Sequence, residues 1–177
     1  MILGMSTSTF TLLHVLISLV GIASGLVVMY GFLASKRFDG WTAVFLVTTI
    51  ATSLTGFAFP NEHITPGMVV GVLSLIVLTV AIVARYGLHM RGAWRWIYVV
   101  TASIALYFNV FVLVAQSFDK VPALKALAPT QKEPPFAIAQ LLVMGLFVVL
   151  TVFAVKRFHA GATSAETSKP TFTKKAA

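Results

Sequence analysis

The chain has 177 residues, of which 58% are hydrophobic and 10% charged, and its net charge is +8. A soluble domain carries about 25% charged residues, so this composition argues against an aqueous globular fold. The absence of cysteine excludes disulfides, thiolate metal sites and cysteine nucleophiles.

Five apolar blocks are long enough to cross a hydrocarbon core, which takes about 20 helical residues. In chain order they are Thr9–Ala34, Trp41–Phe59, Gly67–Ala84, Trp96–Ala115 and Phe136–Val155, and none contains Asp, Glu, Lys or Arg. The first block is expected to stay in the protein, because no basic residue precedes it and its 26 residues exceed a signal core. "SKRFDG" links it to the second block, and "FPNEHITPG" links the second to the third. The third block has 18 residues, or ~27 Å of helix, and its neighbours Arg85 and Tyr86 are expected to snorkel to headgroups. After the fourth block comes a longer stretch, Gln116–Pro135, with four prolines and a "VPALKAL" piece that suits a short interfacial helix. The tail from Ala160 is rich in Ser, Thr, Ala and Lys and is expected to be disordered. The blocks are continuously apolar and do not alternate, which argues against a β-barrel. The expected fold is therefore an all-α membrane protein, an up-down bundle of five transmembrane helices.

Ten basic residues fall in one set of connections and three in the other. This bias places the N-terminus outside and the C-terminus in the cytoplasm. Arg85, Arg91 and Arg95 then lie at the inner face, where anionic lipid headgroups are the natural counter-charge. The same distribution argues against nucleic acid as a partner. Gly21-x-x-x-Gly25 and Gly67-x-x-x-Gly71 allow close helix approach, either within the bundle or in a homo-oligomer or larger membrane complex.

Under this orientation the polar residues gather in one outer layer. His14, Asn109, Gln116 and Gln140 fall there, with Tyr107 nearby and the adjacent pair Glu62 and His63 in the turn above. Asn109 and Gln116 are seven residues apart and so share a helix face. Gln131 and Glu133 of the long connection are candidate lid residues, brought over the layer if Val121, Leu124, Leu127 and Ala128 bury against the helix ends. The inner halves of the spans are expected to hold no charge. Intramembrane polar groups serve as interhelical glue or mark sites. A quinone or other lipid headgroup suits His14, Tyr107, Asn109, Gln116 and Gln140. Haem would need His14 and His63 as axial ligands, and a zinc or copper site would need His14, His63, Glu62 and Glu133. The leading expectation is a non-catalytic accessory or lipid-interacting protein of a prokaryotic cytoplasmic membrane, not an enzyme, with its cofactor unknown. The alternative is a redox-associated membrane protein binding quinone or haem in that layer.

Overall fold

The structure is a computed structural model and describes residues 4–59, 63 and 65–159. Glu62 and the tail from Ala160 lie outside these residues. The described chain is helical: α1 (Thr7–Leu33), α2 (Asp39–Phe57), α3 (Pro66–Ile82), a π-helical turn (Val83–Gly87), α4 (Trp94–Lys120), α5 (Pro122–Leu127) and α6 (Pro134–Arg157). Five helices are long and apolar enough to cross a membrane, with α3 and its π-helical turn counting as one, Pro66–Gly87. The chain is thus built as a multi-pass membrane protein.

Local chemistry sets the helix ends. The Ser6 hydroxyl accepts from the Thr9 amide at 3.1 Å, and the Thr65 hydroxyl accepts from the Met68 amide at 3.3 Å, each satisfying a first-turn donor that has no helical partner. Pro66, Pro122 and Pro134 open α3, α5 and α6, where the missing N–H costs nothing. Helix α1 closes through Ser35 at φ 52°. The Lys36 amide reaches back to the Gly31 carbonyl at 2.8 Å, a Schellman closure. Helix α4 continues through Gln116–Lys120, beyond the apolar block, because helical hydrogen bonding outlasts hydropathy. It stops at Val121 (φ −89°, ψ 115°), the extended residue that a following proline demands.

Helix α4 packs against α1, α3, α5 and α6, and α1 also lies along α2. Close packing needs small residues. A Cβ on Gly25 would sit 2.5 Å from Leu106 and 2.9 Å from Phe45, and one on Gly21 would sit 3.2 Å from the Thr48 hydroxyl. At the far ends of the same helices, the Phe32 ring meets Tyr98 at 5.4 Å and Phe158 at 5.0 Å, edge to face. Away from the core the surface remains apolar. Val47 is 65% exposed and Leu142 is 70% exposed, as expected of residues that face lipid tails instead of water.

The expected burial of the long connection needs correction. Segment Pro122–Leu127 is a helix packed against α4, yet Leu127 is 58% exposed and Val121 is 44% exposed. Ala128 is buried and Leu124 is half-buried. A helix this short presents one narrow face, so Leu127 and Val121 are left outside it.

Gly25 and Gly145 give a paired test of the packing. Gly25→Val should destabilise the protein by about 1–3 kcal/mol through overpacking, read as thermal or denaturant unfolding in detergent. Gly145→Ala adds a Cβ with nothing within 4 Å and should be neutral or stabilising. Equal effects would show that α1 does not depend on close approach to Phe45 and Leu106.

Candidate functional site

A cavity of about 430 Å³ lies among the first turns of α3, the last turns of α2 and α4, His14 of α1 and Gln131 of the α5–α6 connection. Its floor is apolar, with Phe57, Phe108, Phe111 and Val112. Its polar groups come from five separate segments, so it is a product of the tertiary fold. Three small residues leave the space open: Gly56, Gly67 and Ser74 line the cavity, and a Cβ on either glycine would meet nothing closer than 3.8 Å.

His14 Nδ1 lies 2.8 Å from the Thr55 hydroxyl. Thr55 donates its own proton to the Ala51 carbonyl at 2.7 Å, so its oxygen accepts from the imidazole. The neutral ring therefore carries its proton on Nδ1 and leaves Nε2 as an acceptor. Phe59 stands edge-on to this ring, with centroids 5.3 Å apart, and fixes its plane. Asn109 donates from Nδ2 to the Thr49 hydroxyl at 3.1 Å, which joins α4 to α2.

Serine and threonine hydroxyls in these helices mostly bond back to the carbonyl four residues earlier. Ser18, Ser24, Thr48, Ser53, Thr101 and Ser103 all do so. Thr52 and Ser74 do not. Both hydroxyl oxygens are buried without a partner among the described residues, and both residues line the cavity. A buried hydroxyl left unsatisfied costs about 1–3 kcal/mol, so these two departures need a physical reason.

Charge around the cavity is uneven. Asp119 is among its lining residues, whereas no Lys or Arg is among the described ones. Lys120 and Lys125 approach the Asp119 carboxylate at 2.8 and 3.3 Å. Gln116 lines the same wall. Gln131, at φ 58°, donates from Nε2 to the Ala115 carbonyl at 2.9 Å and so pins the connection to the end of α4.

The other expected site residues fall elsewhere. Glu133 does not line the cavity. It caps its own turn, accepting from the Thr130 hydroxyl at 2.8 Å and the Lys132 amide at 3.0 Å. Desolvation raises its carboxyl pKa, but the bonds from Thr130 and Lys132 outweigh this and hold it below the usual range. Gln140 is buried on α6, where Nε2 donates to the Phe111 carbonyl at 3.1 Å; it is glue between α6 and α4. Tyr107 faces a second, apolar cavity of about 370 Å³ between α4 and α6. The described part of the "FPNEHITPG" turn leaves His63 exposed.

A second polar cluster was not foreseen. Arg85, expected to snorkel to headgroups, is only 6% exposed. One nitrogen, Nη1, donates to the Tyr98 hydroxyl at 3.1 Å, and Nη2 pairs with Asp39 at the start of α2. The guanidinium also stacks 5.1 Å from the Tyr98 ring and 5.4 Å from the Tyr86 ring. The π-helical turn Val83–Gly87 carries the helix past the last apolar residue and sends Arg85 inward instead of out to headgroups. Left-handed backbone at His89, Met90 and Gly92 (φ 52°, 53° and 53°) then reverses the chain, held by Met90, which is 7% exposed. The snorkelling expected of Arg85, just beyond the third apolar block, is thus replaced by an ion pair with a residue 46 positions away. Arg91 is exposed and Arg95 half-buried.

A family scan, a comparison with curated proteins and a comparison with solved structures each find no match. The functional reading therefore rests on this chain's own geometry.

Asp39 is shared between buried Arg85 and half-exposed Arg37. Asp39→Asn should lower stability by about 1–2 kcal/mol, the solvent around Asp39 weakening the loss of charge. Arg37→Gln should cost under about 0.5 kcal/mol. Unfolding midpoints that shift equally would show that the Arg85 pair carries no special weight.

Proposed function

We propose that the protein is a non-catalytic, lipid-binding component of the cytoplasmic membrane, which takes the uncharged, hydroxyl-bearing head of a membrane amphiphile into the His14 cavity. The five helices form an up-down bundle with the N-terminus outside and the C-terminus cytoplasmic, so that the cavity opens to the outer leaflet. Support for the orientation is the ten-to-three division of basic residues.

The observation that carries the binding reading is the pair of hydroxyls without a partner among the described residues, Thr52 and Ser74, in the cavity that His14 also lines. A ligand with a hydroxyl satisfies both needs, donating to the imidazole and accepting from a serine or threonine. An anionic phosphate suits the cavity poorly, because its described lining includes Asp119 and lacks Lys and Arg. Mostly apolar walls with a few convergent polar groups are the usual form of a small-ligand site. A quinol head meets the same donor and acceptor requirement, which keeps the redox-associated reading alive. Haem is favoured less, because His63, the second axial ligand it would need, is exposed.

Mass spectrometry of lipids released from protein purified in native-membrane discs tests the reading. An uncharged hydroxylated amphiphile should be enriched near stoichiometry, and Ser74→Ala should weaken its retention about tenfold while leaving the empty protein as stable or more so. Bulk lipid alone, identical in both proteins, would sink the proposal. Stoichiometric quinol would move it to the redox-associated class.

The orientation has its own test, and the cysteine-free chain makes it simple. Thr130→Cys should react with an impermeant thiol reagent applied from outside, and Ser168→Cys only after the membrane is opened. The opposite pattern would place the cavity on the cytoplasmic side.

A further inference from the structure

Phe108 lines both cavities. The upper one holds the polar groups described above, whereas the lower one, of about 370 Å³ between α4 and α6, is walled by apolar residues such as Ile104, Met144, Phe147 and Val148. Along α4, Val100, Ile104 and Phe108 line the lower cavity and Phe108, Val112 and Gln116 line the upper. These five positions are each four residues apart, so they form one ridge that winds around the helix by about 40° per step, from the α6 side at Val100 to the upper cavity at Gln116. From Val100 to Gln116 the ridge runs ~24 Å at 1.5 Å per residue, most of a hydrocarbon core. The two cavities thus meet at Phe108, which lines both, with the polar groups on one side of it and mostly apolar walls on the other.

We infer that the lower cavity is the chain-binding half of the same site, and that the ligand is an amphiphile with a compact uncharged head and a single long apolar chain. This inference rests on the head-binding reading above. A single groove beside a single ridge favours one chain over the two of a phospholipid. The occupant is argued from continuity: a head seated at Ser74 and His14 has its apolar exit past Phe108, directly into the space that Ile104, Phe147 and Val148 enclose. Met144 and the aromatic rings offer soft, adaptable contacts for such a chain. Moving a chain from lipid tails into this groove removes little apolar surface from water. Its gain comes from van der Waals packing, so the position of the chain is a sharper readout than affinity.

The test uses two monoacylglycerol probes, butanoyl and palmitoyl, each with a diazirine at the chain end, crosslinked to the full-length protein in liposomes. The palmitoyl probe should label residues 144–152 of α6 and residues 100–104 of α4, and the butanoyl probe only residues around the upper cavity. Val148→Trp fills the lower groove from a lipid-exposed position, where folding tolerates it. It should abolish labelling of α6 by the palmitoyl probe and leave butanoyl labelling unchanged. Ser74→Ala should weaken labelling by both. If both probes label the upper cavity but the palmitoyl chain never reaches α6, the chain site is wrong and the head reading stands. If neither probe labels the upper cavity, the head reading fails and the inference falls with it. Disulfide-linked dimers of Val148→Cys, with no chain labelling, would show that a second copy fills the groove and would also overturn the inference.

Discussion

In a hydrocarbon layer a polar group has no water to turn to, so each must find a partner within the chain or accept the cost of lacking one. That constraint orders this structure. It makes the spans helical, because only a helix satisfies its backbone within one segment. It turns Ser18, Ser24, Thr48, Ser53 and Ser103 back onto carbonyls of the preceding turn. It pairs Asn109 with Thr49 and Gln140 with the Phe111 carbonyl. Four buried side-chain atoms among the described residues depart from it: Thr52 Oγ1, Ser74 Oγ, Arg85 Nε and Gln140 Oε1. Arg85 and Gln140 are each held by another atom of the same side chain. Thr52 and Ser74 are left with nothing, and both stand at the cavity.

The same small residues that let helices approach also decide where they cannot close. Gly25 brings α1 onto Phe45 and Leu106, leaving no room for a methyl group. Gly71 meets the Phe57 ring, which a Cβ would approach to 3.1 Å. One turn away, Gly67 and Gly56 face much looser surroundings, so absent side chains there leave volume unfilled. A small-xxx-small pattern such as Gly67-x-x-x-Gly71 thus has two different ends: both line the cavity, but only Gly71 is packed by an aromatic ring. Sequence spacing identifies both as small. Which is filled depends on where Phe57 arrives from α2.

How far the sequence could be read follows from this. Hydropathy blocks located the five long helices to within a few residues, because burial in lipid and helix formation ask for the same residues over the same length. Asn109, Gln116 and His14 were legible as one layer because depth along a helix is simple arithmetic. Depth alone did not reveal azimuth. Tyr107 is two residues from Asn109 yet faces α6, and Gln140 is taken up by a carbonyl of α4. Arg85 was misread because an apolar run ends, by definition, at the first charge. The π-helical turn that redirects Arg85, and the aspartate 46 residues away that receives it, leave no local signature. Exposed Leu127 on α5 misled for the opposite reason. Apolar residues at a membrane surface need no protein partner.

The two polar clusters do opposite things to the bundle. Around Arg85 every feature removes freedom: an ion pair to α2, a hydrogen bond and a stacked ring from α4, and the edge-to-face contacts of Phe32 with Tyr98 and Phe158. The Ser35 hydroxyl adds a bond from the His159 amide, tying the end of α6 to the end of α1. Around the cavity the polar ties between segments include the hydrogen bonds from His14 to Thr55, from Asn109 to Thr49 and from Gln131 to the Ala115 carbonyl. Local opening is cheapest where buried contacts are fewest. A ligand that must enter between helices needs one end of them to yield while the other keeps their register. Helix α4 runs through both clusters, from Tyr98 to Asp119, and so joins the tightly tied end of the bundle to the cavity end.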